Sequence, residues 1–475
     1  VVGNIYNLNN SVANPLIGDY DENKQIESLF GSASFGYDNM LYLTVTGRND
    51  WSSTLPANNN SFFYPSINGS FIFSQVLDQD WLSFGKIRGG YAEVGSDTDP
   101  YRLRNTYESR VPFFGSIRYG QPDQNNNANL RPETKETWEI GLEMGFLNNR
   151  VSFDVTYYDE LTKDLITPVQ VDPSTGYNST VANAGQLSNK GIEALVNITP
   201  VKTDDFDWNI TWNFAKNENE LLELLPGVNS LELARFPFNG VTLNAIVGER
   251  YGIIRGTDFV YDDQGNKVVS ASGRYIETAS VQNLGSVLPD YNMGIRNSFR
   301  YKNFDLGFLI DMQKGGVYRS LTNIFGHYSG ILESTAANNI REEGLVLDAV
   351  TGDVTFNNDG TYTVENTAEN TTVISAQRWG VDHFFGPDAQ NVFEADYWKL
   401  REVTLGYTFP KDWMGESGIN SVRLTAFGRN LLVWGLDNDN FDPEVATGGS
   451  GNIQGSEGGS LPSTRTYGLN VEIKL

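Results

Sequence analysis

The sequence contains no cysteine, which excludes disulfide bonds, thiolate nucleophiles and cysteine-based zinc sites. Basic residues are also scarce: 34 Lys and Arg stand against 59 Asp and Glu, and the formal net charge is −25. Nucleic acids and anionic membrane surfaces are bound through clustered basic residues, so this balance argues against both as partners. None of the 475 residues lies in a run that approaches the roughly 18 apolar residues of a membrane-spanning helix. A bundle of transmembrane helices is therefore excluded.

The sequence is instead dominated by the alternation of apolar and polar residues that is typical of β-strands, from about residue 29 to Leu475. Every second residue from Tyr467 to Leu475 is apolar, and the residues between them are polar or glycine. Residues 138–146 and 151–157 alternate around an Asn-Asn turn, which predicts a hairpin. Similar segments elsewhere bring the number of predicted strands to about thirteen.

The connections between these segments alternate in length. Short links are expected near residues 38–39, 147–150, 200–206, 302–303 and 410–420. Long polar segments are expected near residues 49–62, 95–135, 159–185, 216–290, 312–395 and 430–465. Outer-membrane barrels combine short periplasmic turns with long external loops. The rhythm therefore predicts an all-β fold, a transmembrane antiparallel up-and-down β-barrel. A soluble β-sandwich also alternates, but loops of about 30–80 residues are uncommon in compact soluble domains.

This orientation assigns residues 1–28 to an external loop and residues 29–475 to the C-terminal part of a barrel with long external loops. A bacterial single-chain barrel has an even number of strands, and large plugged transporters have about 22. The thirteen strands are therefore expected to belong to a barrel of about 22. Its plug and N-terminal strands are expected to precede Val1, which is neither a methionine nor the start of a signal peptide.

Several stretches, in this order, resemble the SusC/RagA-like family of TonB-dependent outer-membrane transporters. They include SLFGSASFGYDNMLYLTVTGRNDWSS (28–53), NLRPETKETWEIGLEMGFLNNRVSFDVTYYDELTKDLI (129–166), YWKLREVTLGYTFP (397–410), GRNLLVW (428–434) and FDPEV (441–445). Each stretch alone is a weak signal, whereas the ordered set is specific and covers nearly the whole chain apart from loop interiors.

The resemblance implies a multi-pass protein of the outer membrane, in contact with outer-membrane lipid. A SusD-like surface lipoprotein would cover the barrel, and an oligosaccharide or oligopeptide would be imported with energy from the TonB complex. The plug and the TonB-contacting segment of the family are absent from these residues, so transport is expected of a larger whole. The substrate class stays open. A barrel scaffold that does not transport, or a partner of a secretion machine, is the alternative function.

Residues that could carry chemistry are few. The two histidines, His327 and His383, lie 56 residues apart and are interpreted as polar loop residues, not metal ligands. No pair of carboxylates is placed for glycoside hydrolysis, so neither a catalytic residue nor an enzyme is predicted. No cofactor is expected. A calcium site in an external loop, formed by Asp437, Asp439 and Asp442, is a weaker alternative to plain turn chemistry there.

Two sets of residues are predicted to face the solute. Charges whose neighbours take the lipid side should face the lumen, as a polar path or as cross-strand pairs. They are Glu139, Glu143, Asp154, Glu193, Arg296, Arg300, Glu402 and Arg423, with Glu472 and Lys474 near the C-terminus. Aromatic residues assigned to loops are the candidate ligand contacts, because flat rings suit both sugars and peptides. They are Trp51, Tyr101, Phe113, Phe114, Trp379, Phe384, Phe385 and Trp434.

Overall fold

The computed structural model describes residues 21–77, 79–114, 116–415, 418–445 and 453–474. Within these residues, thirteen strands form one antiparallel sheet in which each strand pairs with the next along the sequence. The strands are β1 (Ile26–Tyr37), β2 (Leu41–Ser52), β3 (Ser61–Phe71), β4 (Leu82–Ser96), β5 (Glu133–Phe146), β6 (Val151–Lys163), β7 (Gln186–Lys202), β8 (Phe206–Glu223), β9 (Tyr291–Tyr301), β10 (Phe304–Lys314), β11 (Tyr397–Thr408), β12 (Ser421–Trp434) and β13 (Thr466–Lys474).

This sheet confirms the predicted number and the up-and-down order of the strands. The sheet is open in the described part of the chain, with β1 and β13 at its two edges. Strand β1 begins at Ile26, so residues 26–28 belong to the sheet and not to the preceding segment. Two parts of the prediction lie outside the described residues. They are residues 1–20, which were assigned to an external loop, and Leu475, the last apolar position of the final strand.

Short connections, several of them tight turns, join the strands at one end of the sheet, here called the short-turn end. Asp38 and Asn39 both have φ of 51°, and the amide of Met40 donates to the Tyr37 carbonyl at 3.0 Å. Asn148 and Asn149 repeat this geometry with φ of 57° and 60°. Turns with two positive φ values match the right-handed twist of the flanking strands, and asparagine and aspartate tolerate them best. These turns fix the strand register at that end.

The connections at the opposite end, here called the long-loop end, run over residues 53–60, 97–132, 164–185, 224–290, 315–396 and 435–465. They contain shorter strands at Glu108–Phe113, Ser116–Gly120, Gln124–Asn125, Ile166–Gln170, Ser179–Asn183, Ser230–Arg235, Thr242–Ile246, Ile253–Gly256, Val268–Val269, Gln282–Ser286, Val317–Ser320, Leu345–Val346, Val350–Phe356, Tyr362–Glu369, Val373–Ile374, Val392–Glu394 and Ser456–Glu457. They also contain three α-helices, α1 (Leu321–Ser329), α2 (Ile340–Glu343) and α3 (Ala376–Phe385). Every helix among the described residues is too short or too polar to span a membrane.

The two faces of the sheet differ in polarity. Paired residues of neighbouring strands point to the same face, and the pairs Ile140–Tyr157 and Leu142–Val155 make one face apolar. The other face is polar, with Glu143 opposite Asp154. Apolar side chains remain exposed along the first face, which a water-soluble sheet would bury. The apolar face is therefore suited to lipid.

The buried hydrophobic cores lie mainly in the long loops. One core joins Phe236, Val241, Leu243 and Ile254, and another joins Val269, Leu347 and Ile374. A third joins Leu55, Leu130 and Val181 from three different loops. Alternating strands that face lipid on one side cannot build such a core, so the loops pack on one another above the sheet. The segments that looked uniformly polar are in fact an ordered layer.

Candidate functional site

The strand register puts all ten charges that were predicted to face the lumen on the polar face of the sheet. Ion pairs across the strands join six of them to neighbouring charges. These pairs are Lys86–Glu143 at 3.4 Å, Arg88–Asp154 at 2.7 Å, Arg296–Glu402 at 3.4 Å, Arg429–Glu402 at 3.0 Å, Arg300–Asp207 and Arg423–Asp305. A ladder of partly exposed pairs keeps the wall polar without a large contribution to stability.

Two of the aromatic residues assigned to loops belong to strands, and that assignment was wrong. Trp51 lies in β2 and pairs with Glu27 and Ser61, on the apolar face. Trp434 ends β12, pairs with Trp398 and stacks on it at 6.3 Å between ring centroids. Both strands continue past the apolar band, because backbone pairing does not depend on apolar side chains. Their rings occupy the position of an interfacial aromatic belt rather than a solute site.

Trp379 lies in a loop, but its side chain is committed to packing. It contacts the buried core around Val269, Leu347 and Ile374. It also meets the rings of both histidines edge-on, at 4.9 Å from His327 and 5.2 Å from His383. We therefore remove it from the candidate ligand contacts.

The two histidines, interpreted from the sequence as separate polar loop residues, are buried and stacked on each other. Their ring centroids are 3.8 Å apart, which joins α1 to α3. Nδ1 of His327 is 3.0 Å from the Asn323 carbonyl, and Nδ1 of His383 is 3.3 Å from Oδ1 of Asn391. Burial lowers the pKa of His327, and burial together with the neighbouring His327 lowers the pKa of His383 to about 3. The stack is therefore neutral near pH 7.

An exposed aromatic cluster is carried largely by the same two helices as this stack. We use the name aromatic cluster for Phe238, Phe325, Tyr328, Phe384 and Phe385. Ring centroids within it are 4.8–5.9 Å apart, and the rings come from three segments of the loop layer. Phe385 is 61% exposed and Phe238 is 51% exposed, so the cluster presents flat apolar surface to solvent. Two of its members, Phe384 and Phe385, were predicted from the sequence.

The backbone beneath the cluster is held rigidly. Phe238 has a φ of 65°, a left-handed conformation that is uncommon for a bulky residue. The fully buried Arg319 donates to the carbonyls of Pro237 at 2.7 Å and Phe238 at 3.4 Å. Nδ2 of Asn239 donates to the Phe384 carbonyl at 2.7 Å and ties this turn to α3. Such strain is kept only where surrounding structure over-determines it, and it concentrates at functional sites.

Tyr101 lies at a second concave surface of the loop layer. Its φ is 64°, its side chain is 58% exposed, and its carbonyl accepts from Nδ2 of Asn126 at 3.1 Å. The pocket beside it has a volume of about 710 Å³, and its lining includes Arg104, Gln124 and Asn126. An exposed ring beside amide and guanidinium donors suits a polar organic ligand. Tyr101 therefore stays a candidate ligand contact.

Phe113 and Phe114 lie at the tip of a hairpin formed by Glu108–Phe113 and Ser116–Gly120. Phe114 is 92% exposed and has a φ of 48°, and its ring meets that of Phe113 edge-on at 4.5 Å. Neither ring lines the pocket beside Tyr101. Their place at a projecting tip is more typical of contact with another macromolecule.

The carboxylates of the calcium alternative are engaged elsewhere. Asp442 accepts from Nζ of the buried Lys399 at 2.5 Å, and Oδ2 of Asp437 accepts from the Glu394 amide at 2.9 Å. Among the described residues, no group of three or more His, Asp or Glu side chains converges as a metal site would require. The calcium site stays a prediction, and the carboxylates of Asp437, Asp439 and Asp442 do not converge in this structure.

Lys399 belongs to an ionic anchor, our name for Asp311, Lys399, Arg401, Asp442 and Glu444. Lys399 bridges Asp442 and Glu444, while Arg401 bridges Glu444 and Asp311 of β10. Burial opposes ionisation of Glu444, but hydrogen bonds from Arg401 and Lys399 outweigh it and lower the pKa of Glu444 to about 2. The anchor fastens the 435–465 loop to the polar face. The anchor joins two of the stretches that carried the resemblance, because Lys399 and Arg401 lie in YWKLREVTLGYTFP and Asp442 and Glu444 lie in FDPEV.

The remaining long loops are linked by buried polar contacts. Asp388 accepts from the amide of Thr257 at 2.9 Å, which joins the 315–396 loop to the 224–290 loop. Glu457, 1% exposed, accepts from the hydroxyls of Ser320 and Thr322 at 2.5 and 2.6 Å. These contacts join residues that are distant in the sequence. No local sequence pattern therefore predicts them, and none predicts the roles of Arg319 and Phe238. Phe325 and Tyr328 did carry one, as aromatic residues three apart on a helix.

Comparison with known proteins assigns the fold to a family. The family model for the TonB dependent receptor-like β-barrel matches residues 2–431. TonB-dependent receptor P26 of Formosa agariphila is 32% identical, and the alignment covers 98% of this chain and 48% of that protein. TonB-dependent receptor SusC of Bacteroides thetaiotaomicron is 25% identical over 90% of this chain and 42% of that protein.

A solved structure of the RagAB peptide transporter has the same fold. It superimposes with a TM-score of 0.71 at 18% identity, over 94% of this chain and 47% of that one. The chain spans about half the length of the curated relatives it matches. The family resemblance seen in the sequence is confirmed: the chain belongs to the TonB-dependent receptor-like β-barrel family of the outer membrane.

Proposed function

We propose that this chain forms part of the wall and part of the external loop layer of an outer-membrane importer for oligosaccharides or oligopeptides. Short periplasmic turns and long external loops are the rule in such barrels, so the long-loop end lies outside the cell. The observation that carries the proposal is the aromatic cluster, presented by interlocked loops above a polar wall. Solute would first meet the loops and then the charges of the wall.

Partners and energy supply follow from the family. The complete protein would use the TonB complex, and a SusD-like surface lipoprotein would close over the loop layer. The exposed hairpin tip at Phe113 and Phe114 supports a contact with such a lipoprotein, because projecting apolar rings gain most from burial at an interface. The relatives' names support the coupling to TonB, and the name of the RagAB peptide transporter supports an oligomeric solute.

The chemistry of the described residues supports transport over catalysis. The carboxylates of the polar wall are engaged largely in ion pairs, and the family is one of receptors. The proposed protein would therefore bind and move its solute unchanged. A barrel scaffold without transport remains the outcome to be excluded by experiment.

Growth of a deletion strain complemented with the full-length protein tests the proposal. Panels of neutral oligosaccharides and of oligopeptides would be supplied as sole carbon sources. We expect growth on one class to require the protein and to fall in the Phe384→Ala/Phe385→Ala variant. Loss of ring stacking should weaken solute binding by about tenfold per ring. Phe356→Ala, an exposed aromatic on the distant 350–369 hairpin, is the matched control and should grow normally.

Solute binding is measured separately by isothermal calorimetry on the purified full-length protein with its lipoprotein. Unchanged growth on every oligomer after deletion would contradict import. Binding without growth defects would point to a scaffold that merely holds the solute. If deletion abolishes growth but Phe356→Ala and Phe384→Ala/Phe385→Ala have equal effects, the protein is an importer whose aromatic cluster has no part in import.

A further inference from the structure

The apolar face of the sheet contains a pit where two glycines pair across strands. Gly69 of β3 lies opposite Gly89 of β4. The same cross-strand row continues to Leu43 of β2 and Ile140 of β5. The missing side chains leave an open groove of about 720 Å³, here called the outer groove. Gly69 and Gly89 form its floor, and its rim on the apolar face includes Leu43 of β2, Ile67, Ile87, Tyr91, Ile140 and Tyr157 of β6.

Packing within the sheet does not account for these two glycines. A Cβ at Gly69 would have its nearest neighbour at 3.9 Å, and a Cβ at Gly89 would have its nearest neighbour at 3.5 Å, both ordinary contact distances. This differs from Gly141 on the polar face, where a Cβ would come within 2.6 Å of the Arg88 guanidinium. The outer groove is thus a space that larger side chains could fill and do not.

The boundary of the membrane passes just above the outer groove. Tyr91 and Trp138 pack with ring centroids 4.5 Å apart, as in an interfacial aromatic belt. Two residues further toward the long loops on the same face, Glu136 of β5 binds Lys163 at 2.6 Å. The apolar face therefore becomes charged there. The glycine row lies two residues on the other side of this belt, about 7 Å along the strand. On β4 and β5 that depth is the outer-leaflet hydrocarbon next to the headgroups, whereas Gly69 lies two residues from the short-turn end of β3, so the outer groove descends obliquely from the belt into the bilayer.

We propose that the outer groove binds an acyl chain of an outer-leaflet lipid. Elsewhere on the apolar face a chain touches protein on one side only. In the outer groove it would touch the glycine floor and both walls, and it would gain dispersion contacts that the flat face does not offer. The groove crosses from β2 to β6, roughly 19 Å at about 4.8 Å per strand interval, so it accepts an extended segment of chain. Its occupant needs no polar recognition, because its rim is apolar.

Lipid photolabelling of the full-length protein tests this site. The protein is reconstituted in vesicles of phosphatidylethanolamine and phosphatidylglycerol that contain a phosphatidylethanolamine with a diazirine on its acyl chain. After illumination, mass spectrometry compares labelling around the outer groove with labelling at Ile295 and Ile310, which pair on the apolar face nearer the long-loop end. We expect about tenfold more label in the outer groove, because contacts on three sides prolong the stay of the chain.

Gly69→Leu/Gly89→Leu fills the outer groove and should reduce its labelling to the level of the flat face. Gly31→Leu is the matched control: Gly31 lies on the same face in β1, and a Cβ there meets nothing within 4 Å. The slower migration of the protein after heating reports whether each variant folded. If the double variant fails to fold, Gly89→Ala takes its place and should give an intermediate level.

Three results would overturn the proposal. The first is equal labelling of the outer groove and the flat face in the wild-type protein. The second is undiminished labelling in a folded Gly69→Leu/Gly89→Leu variant. The third is an unlabelled outer groove together with crosslinks between two copies at Ile67 or Ile87, which would identify a second protein molecule as the occupant.

Discussion

Replacing Lys399 with methionine should release the 435–465 loop from the polar wall. Lys399 is 3% exposed, and its ammonium contacts Asp442 at 2.5 Å as well as Glu444. Methionine keeps the length of the side chain but leaves the buried Asp442 carboxylate without its cation. Breaking one partner of a buried ion pair costs about 3–5 kcal/mol. At about 1.4 kcal/mol per tenfold change, the open state of this segment should become at least about a hundredfold more populated.

Hydrogen–deuterium exchange of residues 437–445 in the full-length protein measures this opening. The matched control is Lys314→Met, because Lys314 binds Asp396 and Glu394 in a solvent-exposed position where an ion pair contributes little to stability. The double variant Lys399→Met/Asp442→Leu removes both charges and should recover much of the protection. Unchanged exchange in Lys399→Met, or a double variant as open as the sum of both single changes, would refute a buried anchor.

Three further predictions concern the faces of the sheet, the histidine stack and the support of the aromatic cluster. Leu405→Arg on the apolar face should cost about 2–4 kcal/mol in urea unfolding from lipid vesicles, while Thr404→Arg on the polar face should cost under about 1 kcal/mol. Equal costs would contradict the face assignment. Burial lowers the pKa of His383 to about 3, so the neutral side chain contributes fully to stability above pH 6.5, and this contribution is lost as the pH falls toward 3. Amide exchange in α1 and α3 should therefore rise over that pH window. In His383→Phe the exchange should depend less on pH. Arg319→Leu should leave the Pro237 and Phe238 carbonyls without their donor and cost about 1–3 kcal/mol of local stability. It should also reduce solute binding, as Phe384→Ala should. If binding is retained while amide exchange increases, Arg319 supports the turn but the aromatic cluster does not bind the solute.

The strands could be predicted because their signal is local. Each strand alternates with a period of two, because one face must meet lipid. The alternation is therefore visible within single segments, as in residues 138–146 and 151–157. The Asn-Asn and Asp-Asn turns could be predicted because asparagine and aspartate tolerate positive φ. The ends of the strands were less accurate. Trp51 and Trp434 were placed in loops because strand pairing continues after the apolar pattern stops.

The loop layer could not be predicted, because its contacts join residues that are far apart in the sequence. His327 and His383 lie 56 positions apart with no metal or catalytic motif between them, and only folding stacks their rings. Arg319 lies in no motif of the sequence, and only the fold buries it fully under a turn of another loop. Composition made these loops look polar throughout. Their small hydrophobic cores arise from single apolar residues that each loop contributes.

The sequence by itself determined the barrel wall: the number of strands, their order, the apolar and polar faces and the end that carries the long loops. Those properties depend on neighbours along the chain and on the requirement that lipid meet apolar side chains. Only the tertiary structure decided which aromatic rings form the aromatic cluster, which charges form the ionic anchor and where the outer groove opens. Each of these depends on the cross-strand register or on packing between loops, and neither leaves a periodic trace in the sequence.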